Sequence, residues 1–95
     1  MDKLRQLQFL LTKIPKGKVS TYGILGRKMS IHPRTVGILL RKNPYPNLYP
    51  CYKIVHSDGR IGGYARGVKE KVRRLRKDGI TIEKDRVSKT FFFYF

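Results

Sequence analysis

Cys51 is the single cysteine of this 95-residue chain and the side chain best suited to covalent chemistry. A thiol attacks an electrophile as the thiolate, and an unperturbed thiol with a pKa of about 8.5 is mostly protonated at neutral pH. Cys51 would therefore need a nearby positive charge or a base to act as a nucleophile. The alternative is a buried, inert thiol, which is the commoner state of a lone cysteine.

Three side chains close to Cys51 in the sequence are candidates for activating it. Tyr52 carries a phenol with an ordinary pKa of about 10, so it would order a water or donate a hydrogen bond rather than act as a base. Lys53 adds positive charge that would favour the thiolate. His56 carries the nearest imidazole, but a side chain five positions further on need not face the sulfur. The sequence leaves the choice between them open.

The counts of cysteine and histidine exclude two other kinds of site. One cysteine cannot form an internal disulfide, and the two isolated histidines give no metal-ligand cluster. We therefore expect that neither a disulfide nor a metal holds the fold and that packing must suffice. We expect no cofactor.

The charge of the chain indicates the class of partner. Lys and Arg number 22 against 6 Asp and Glu, a formal net charge of +16. Such an excess indicates a polyanion, and nucleic acid is the first expectation. A solvated basic surface, or a general RNA-binding or architectural protein, is the alternative. No apolar run approaches the roughly 20 residues of a membrane-spanning helix, and no signal-peptide cleavage site is evident. We expect an intracellular protein, cytoplasmic or nucleoid-associated, with no membrane partner.

Two short helices joined by a tight turn are predicted after an initial amphipathic helix that Asp2 caps. Thr21 caps the first of the pair, Tyr22–Lys28, and Pro33 stands at the first position of the second, Pro33–Arg41. This pattern fits a helix-turn-helix whose recognition helix is Pro33–Arg41, with Arg34 and Thr35 facing outward, although any pair of short helices gives a similar pattern.

The second half of the chain is predicted to add a proline-rich loop, a helix and a short strand. The loop runs from Asn43 to Pro50, and the helix after Gly67 should bury Val68, Val72 and Leu75. Its other faces would be solvated or would hold phosphates, and they carry Lys69, Lys71, Arg73, Arg74, Arg76 and Lys77. Residues Ile80 to Glu83 alternate like a strand.

These elements predict a mainly α fold, a small helical domain with a winged-helix-like helix-turn-helix and a short two-stranded β element. We expect this domain to span residues 1–84. Residues 85–95 form a basic and then aromatic tail. The tail could pack on the core, bind another protein or be a cloning remnant.

Several motifs occur in one order along the chain and together resemble the O6-alkylguanine-DNA alkyltransferases. They are Arg41-Lys42-Asn43-Pro44, Tyr49-Pro50-Cys51-Tyr52-Lys53-Ile54-Val55, Ser57-Asp58-Gly59, Gly62-Gly63-Tyr64 and Gly67. The resemblance covers residues from about 5 to 84 and implies a single-turnover methylated-DNA-protein-cysteine S-methyltransferase. Its partner would be double-stranded DNA containing O6-alkylguanine, bound by a monomer.

The resemblance assigns catalytic roles to Cys51, Tyr52 and Asp78. In the family a histidine directly follows the cysteine and is supported by a glutamate, whereas this chain has Tyr52 and Asp78 at those places. The carboxylate is kept and the imidazole base is replaced. This replacement leaves open an alternative that the resemblance also contains, a lesion-recognition protein that binds O6-alkylguanine DNA without alkyl transfer.

The resemblance also implies DNA-binding and substrate-binding roles. Arg34 would fill the gap left by a flipped guanine, with a phosphate contact as the alternative. Tyr22 would help to rotate the target nucleotide, or would be a half-buried core tyrosine. Asn43 would join the recognition helix to the cysteine loop, or make an ordinary turn before proline. The remaining assignments are Thr35 and Lys53 in DNA or substrate contact, the main chain at Cys51 and Ile54 reading guanine, and Tyr64 donating to guanine N3.

Overall fold

The computed structural model describes residues 2–45 and 48–95, which include four α-helices. In chain order they are α1 (Lys3–Leu11), α2 (Tyr22–Met29), α3 (Pro33–Arg41) and α4 (Val68–Lys77). Asp2 caps α1 as predicted, its carboxylate accepting a hydrogen bond from the Arg5 main-chain N–H at 2.8 Å. The mainly α fold class is confirmed.

Four short strands form two separate pairs. Strand β1 (Ser20–Thr21) pairs in parallel with β2 (Ile54–Val55), and β3 (Ile82–Glu83) pairs antiparallel with β4 (Arg86–Val87). The two central residues of the β3–β4 turn, Lys84 and Asp85, both have positive φ, as in the type I′ turn that suits a tight hairpin. The predicted strand near Ile82 is therefore one arm of a hairpin, and β1–β2 is a second β element that the sequence analysis did not anticipate.

Helices α2 and α3 form the helix-turn-helix. The Thr21 hydroxyl accepts from the Ile24 main-chain N–H at 3.0 Å, which starts α2. Ser30 at φ 57° ends it, and Pro33 opens α3. Gly26 allows the close approach of the turn, because a Cβ at that position would lie 2.7 Å from the Ile31 carbonyl oxygen. The helix-turn-helix prediction is confirmed.

The apolar interior divides into two clusters on either side of β2. The neighbours Ile54 and Val55 enter different clusters because successive side chains of a strand point to opposite faces. The first cluster joins α1, α2 and α3, and its buried members include Leu7, Leu11, Leu25, Met29, Val36, Cys51 and Ile54. The second joins α4 and the hairpin, and contains Val19, Val55, Ile61, Leu75, Ile80, Val87 and Phe92.

The buried face of α4 differs from the prediction. Val68 is 51% exposed, whereas Lys71 is fully buried beside Leu75. The prediction that Val68 is buried and that Lys71 lies on an outward face is wrong. Lys71 can be buried because its aliphatic stem packs in the interior while its ammonium group donates to the Ile54 carbonyl at 2.6 Å and the Gly63 carbonyl at 3.1 Å.

Residues 85–95 pack on the core. The Val19 N–H donates to the Phe91 carbonyl at 2.9 Å, and the Phe93 N–H donates to the Val19 carbonyl at 2.6 Å. Val87 and Phe92 are buried in the second cluster. A division after residue 84 would fall inside the β3–β4 turn, so the tail contributes to the same folded unit as the helices.

Two residues of the predicted proline-rich loop, Pro46 and Asn47, lie outside the described residues. On its described part, Tyr45 and Tyr49 form an edge-on ring contact with centroids 6.4 Å apart. None of the helices in the described ranges is long and apolar enough to cross a membrane.

Candidate active site

A pocket of about 510 Å³ opens beside the recognition helix. From the helix-turn-helix it is lined by Tyr22, Pro33, Arg34, Gly37, Leu40 and Arg41. The opposite wall is formed by Cys51, His56, Gly63, Tyr64 and Ala65. The structure therefore brings the cysteine and the outward face of α3 to one cavity.

Cys51 begins a single 3-10 turn, Cys51–Lys53, that leads into β2. Its main-chain N–H donates to the Tyr49 carbonyl at 2.8 Å, and its carbonyl accepts from the Ile54 N–H. The residue is 8% exposed, so only a small part of it reaches the pocket. The turn holds the thiol at the floor of the cavity.

The surroundings of Cys51 have opposing effects on the pKa of its thiol. Burial raises the pKa of the thiol above its ordinary value. A hydrogen bond with Asn43 and the positive charges of Lys71 and Arg74 lower that pKa, but less than burial raises it. The thiol is therefore mostly protonated at neutral pH, with the charges of Lys71 and Arg74 close enough to stabilise a thiolate.

Lys71 connects the two chain segments that flank the pocket floor. Its ammonium group donates to Ile54 in β2 and to Gly63 on the pocket wall. Burial lowers the pKa of Lys71 to about 8, and the charge of Cys51 acts in the opposite direction. The two carbonyl acceptors favour the ammonium form, so Lys71 supplies positive charge next to the thiol.

Asn43 joins the end of the recognition helix to the cysteine loop. Its amide N–H donates to the Tyr49 carbonyl at 3.0 Å, and its carbonyl accepts from the Tyr45 N–H at 3.1 Å. Its side chain also lowers the pKa of the Cys51 thiol. Asn43 does not line the pocket. It contacts the cysteine loop at Tyr45 and at Tyr49, on either side of the two residues that the structure does not describe.

Tyr52 lies away from the pocket. It packs against the second cluster, with the Arg74 guanidinium carbon 5.9 Å from its ring centroid. Burial, and after it the charge of Asp78, raises the pKa of the phenol. Because its pKa is raised, Tyr52 carries even less phenolate at neutral pH than free tyrosine does, so it is a poor candidate for the base.

Lys53 and Asp78 form a buried ion pair away from the pocket lining. The Lys53 Nζ lies 3.4 Å from the Asp78 carboxylate and donates to the carbonyls of Ile14 and Pro15 at 3.3 and 3.2 Å. The Asp78 carboxylate also accepts from the Gly17 N–H at 3.5 Å. These contacts fasten the cysteine turn to the ends of α1 and α4.

Two aromatic residues and a histidine shape the pocket wall. The rings of Tyr22 and His56 lie 5.1 Å apart between centroids. Burial, followed by the charge of Arg60, lowers the pKa of His56, so its imidazole is neutral at neutral pH. Tyr64 has a buried hydroxyl with no hydrogen-bond partner among the described residues. A buried hydroxyl of this kind is ready to bond a ligand.

The remaining predicted residues take different positions. Arg34 is exposed at the start of α3 and lines the pocket, while Thr35 beside it is half-buried and does not. The Ile54 carbonyl accepts from Lys71, and Ile54 is buried and does not line the pocket. Thus Tyr22, Arg34, Cys51 and Tyr64 converge on the pocket, whereas Tyr52, Lys53 and Asp78 do not.

The sequence analysis did not predict the positions that two side chains of the site occupy in the structure. Lys71 was placed outward, although it stands four residues before Leu75 on the apolar stripe, and this spacing was the available signal. His56 was considered only as a base, and nothing in the sequence predicted its ring contact with Tyr22. Across residues 2–45 and 48–95, no group of three or more His, Cys, Asp or Glu side chains could hold a metal.

A family model matches residues 4–80, and its description is the DNA binding domain of 6-O-methylguanine DNA methyltransferase. The chain belongs to this family, which confirms the resemblance read from its motifs.

Curated relatives agree with this assignment. A bifunctional methyltransferase/endonuclease of Picrophilus torridus is 43% identical over 89 residues, covering 92% of this chain and 30% of the relative. A methylated-DNA-protein-cysteine methyltransferase of Methanothermobacter thermautotrophicus is 35% identical over 79 residues, covering 83% and 45%. The chain thus spans less than half the length of these relatives.

Solved structures show the same fold. The O6-methylguanine-DNA methyltransferase of Pyrococcus kodakaraensis strain KOD1 is 37% identical with a TM-score of 0.78, over 84% of this chain and 47% of that one. Atl1 of S. pombe, solved in complex with damaged DNA containing O6-carboxymethylguanine, is 22% identical with a TM-score of 0.84. The likeness to Atl1 extends over 98% of this chain and 96% of that one, and it shows the fold alone.

Proposed function

We propose that this chain repairs DNA by taking O6-alkylguanine out of the duplex and transferring the alkyl group irreversibly to Cys51. The observation that carries the proposal is that a cysteine and the exposed face of a recognition helix line one pocket. A shared cavity would let Cys51 react with a nucleotide of the DNA that the recognition helix binds. The net charge of +16 supports a polyanionic partner.

Base extrusion accounts for the arrangement of the pocket rim. The alkyl carbon of a stacked guanine cannot be approached in line by a nucleophile, so the nucleotide must leave the helix. Arg34, which is exposed at the first turn of α3 and lines the pocket, would enter the space that the base vacates. Tyr22 at the start of α2 would crowd the backbone of the flipped nucleotide. Thr35 would contact the backbone beside Arg34.

The transfer is a displacement at the alkyl carbon. The sulfur of Cys51 forms a bond to that carbon, and the bond from carbon to guanine O6 breaks, its electron pair leaving with the base. The thiol loses one proton and the guanine gains one, so no external reactant is needed. The unpartnered hydroxyl of Tyr64 would donate a hydrogen bond to the departing base. The thioether product has no easy reverse reaction, so each molecule acts once.

The groups that help Cys51 to lose its proton differ from those assigned by sequence motif. Lys71 and Arg74 supply the positive charge that stabilises the thiolate. His56, a neutral imidazole on the pocket wall, is the group we assign to accept the proton through water. Tyr52, Lys53 and Asp78 would hold the cysteine turn in place.

Recognition without transfer is a second candidate function. It is favoured by the raised pKa of the Cys51 thiol and by the position of Tyr52 outside the pocket lining. A protein of this kind would bind the lesion through Arg34, Tyr22 and Tyr64 and leave the alkyl group on guanine. In both cases one copy of the chain would act on one lesion, at the cytoplasmic or nucleoid DNA.

The intact mass of the protein after incubation with a duplex carrying one O6-methylguanine separates the two functions. Transfer predicts a gain of one methylene, located on Cys51 and absent from Cys51→Ala and from reactions with undamaged duplex. An unchanged mass with damage-selective binding would replace transfer by recognition. An unchanged mass with equal affinity for both duplexes would overturn both.

A further inference from the structure

A groove of about 650 Å³ lies on the other side of α2 from the pocket. One wall comes from α2 and the opposite wall from the last residues of the aromatic tail. The lining residues that concern us are Ile24, Arg27, Lys28, Lys89, Tyr94 and Phe95. The tail, to which the motifs assign no role, therefore forms one wall of this groove.

The chemistry of the groove is cationic and aromatic. Arg27, Lys28 and Lys89 are exposed, and no acidic side chain in the described part of the chain lines the groove. Tyr94 is 66% exposed, while Phe95, the next residue, packs edge-on against Phe93 with centroids 5.1 Å apart. A flat apolar surface edged by positive charges suits a base with its phosphates.

The groove and the pocket are separated by a single layer of residues. Tyr22 and His56 line the pocket, whereas the residues that follow each of them, Gly23 and Ser57, line the groove. The Tyr22 and His56 rings, 5.1 Å apart, stand in this layer. A strand whose nucleotide occupies the pocket would therefore reach the groove within a short length of backbone.

We propose that this groove binds single-stranded DNA adjoining the flipped nucleotide, with an unpaired base stacked on Tyr94 and phosphates on Arg27, Lys28 and Lys89. A paired base hides its faces between its neighbours, so a stacking surface of this kind serves an unpaired one. The proposal rests on the proposed function in two respects, that DNA is the ligand and that one of its nucleotides enters the pocket. It predicts that the protein prefers DNA in which a single strand adjoins a duplex.

Fluorescence anisotropy would measure binding of undamaged duplexes that are blunt or that carry a 3′ or a 5′ thymidine overhang. We expect one overhang polarity to bind more tightly than the blunt duplex. Tyr94→Ala should remove about tenfold of that gain, in line with the stacking of one base, and leave the blunt duplex unaffected. Phe9→Ala is the matched control, because Phe9 is also an exposed aromatic residue, 54% exposed, on α1 away from the groove.

A charge variant tests the phosphate contacts separately. Lys89→Gln should reduce the slope of log affinity against log salt for the overhang by about one, whereas Lys13→Gln, outside the groove, should not reduce it more for the overhang than for the blunt duplex. Equal affinity for blunt and overhanging duplexes would overturn the proposal, as would an overhang gain that survives Tyr94→Ala. These outcomes do not depend on Cys51, so they are distinct from a failure of alkyl transfer in the mass experiment.

Discussion

Lys71 illustrates how one side chain can serve both packing and chemistry. Its stem occupies a core position of α4, and its ammonium group links Ile54 to Gly63 next to the thiol. A fully buried ammonium is unfavourable unless it has hydrogen-bond acceptors and a nearby negative charge. The two carbonyls are the hydrogen-bond acceptors, and a Cys51 thiolate would be the nearby negative charge. Lys71 is therefore most stable when Cys51 is in its reactive form.

Replacing Lys71 should make Cys51 less reactive. Because the Lys71 charge lowers the pKa of the thiol, Lys71→Met should raise that pKa further and move the alkylation profile to higher pH. The measurement is the rate of Cys51 modification by iodoacetamide between about pH 6 and 10, where the rate follows the thiolate fraction. Lys69→Met, an exposed lysine on the same helix, should leave the profile unchanged. Superimposable profiles for Lys71→Met and the unsubstituted protein would refute the assignment.

The turn between α2 and α3 depends on Gly26. A Cβ there would lie 2.7 Å from the Ile31 carbonyl oxygen and 3.2 Å from the Pro33 nitrogen, both main-chain atoms that cannot move independently. On α3, by contrast, a Cβ at Gly37 would lie 3.8 Å from the Tyr22 ring, an ordinary contact. The two glycines therefore differ in their need for a missing side chain.

This difference predicts opposite effects of the same substitution. Gly26→Ala should lower the free energy of unfolding by about 2 kcal/mol, because strain in the turn exceeds the gain in helix propensity. Gly37→Ala should be neutral or stabilising by up to about 1 kcal/mol. Urea denaturation followed by circular dichroism would measure both. A Gly26→Ala protein as stable as Gly37→Ala would contradict the close approach described for the turn.

The same elements show what the sequence can and cannot predict. The caps at Asp2 and Thr21, and the proline at the first position of α3, act locally, so the helix starts were predictable from residue type. The direction in which a side chain points depends on contacts that are distant in the sequence. Tyr52 follows Cys51 directly, yet the 3-10 turn sends it to the second cluster rather than to the pocket.

Long-range contacts account for the rest of what sequence reasoning missed. The pairing of β1 with β2 joins segments distant in the chain, and two-residue strands leave no alternation to recognise. The packing of residues 91–93 against Val19 likewise has no sequence signal beyond apolar composition. The motifs nevertheless identified Tyr22, Arg34, Cys51 and Tyr64, which converge on the pocket.

The aromatic tail takes part in the packing of the whole molecule. Phe92 is buried against the second cluster at 8% exposure, while Tyr94, two residues later, is 66% exposed. The tail therefore has a side chain that packs inward and a side chain that faces the groove. Its two proposed roles, in stability and in binding, can be separated by substitution.

Phe92→Ala should lower the free energy of unfolding by about 3 kcal/mol, the usual effect of removing a buried aromatic side chain. Tyr94→Ala should change it by less than about 0.5 kcal/mol. Chemical denaturation of both variants, with tyrosine fluorescence as the signal, provides the comparison. If Phe92→Ala were as stable as the unsubstituted protein, residues 91–95 would not belong to the core.

The pairing of Val19 with residues 91 and 93 has a consequence for synthesis on the ribosome. Strand β1 is bordered on one side by β2 and is extended on the other by this late segment. While the helix-turn-helix and the cysteine turn have already left the exit tunnel, Val19 still lacks its main-chain partners, and an unpaired edge is exposed. The nucleophile would thus be translated before the segment that completes the border of β1, and Val19 would gain its main-chain partners only after residue 93 has emerged.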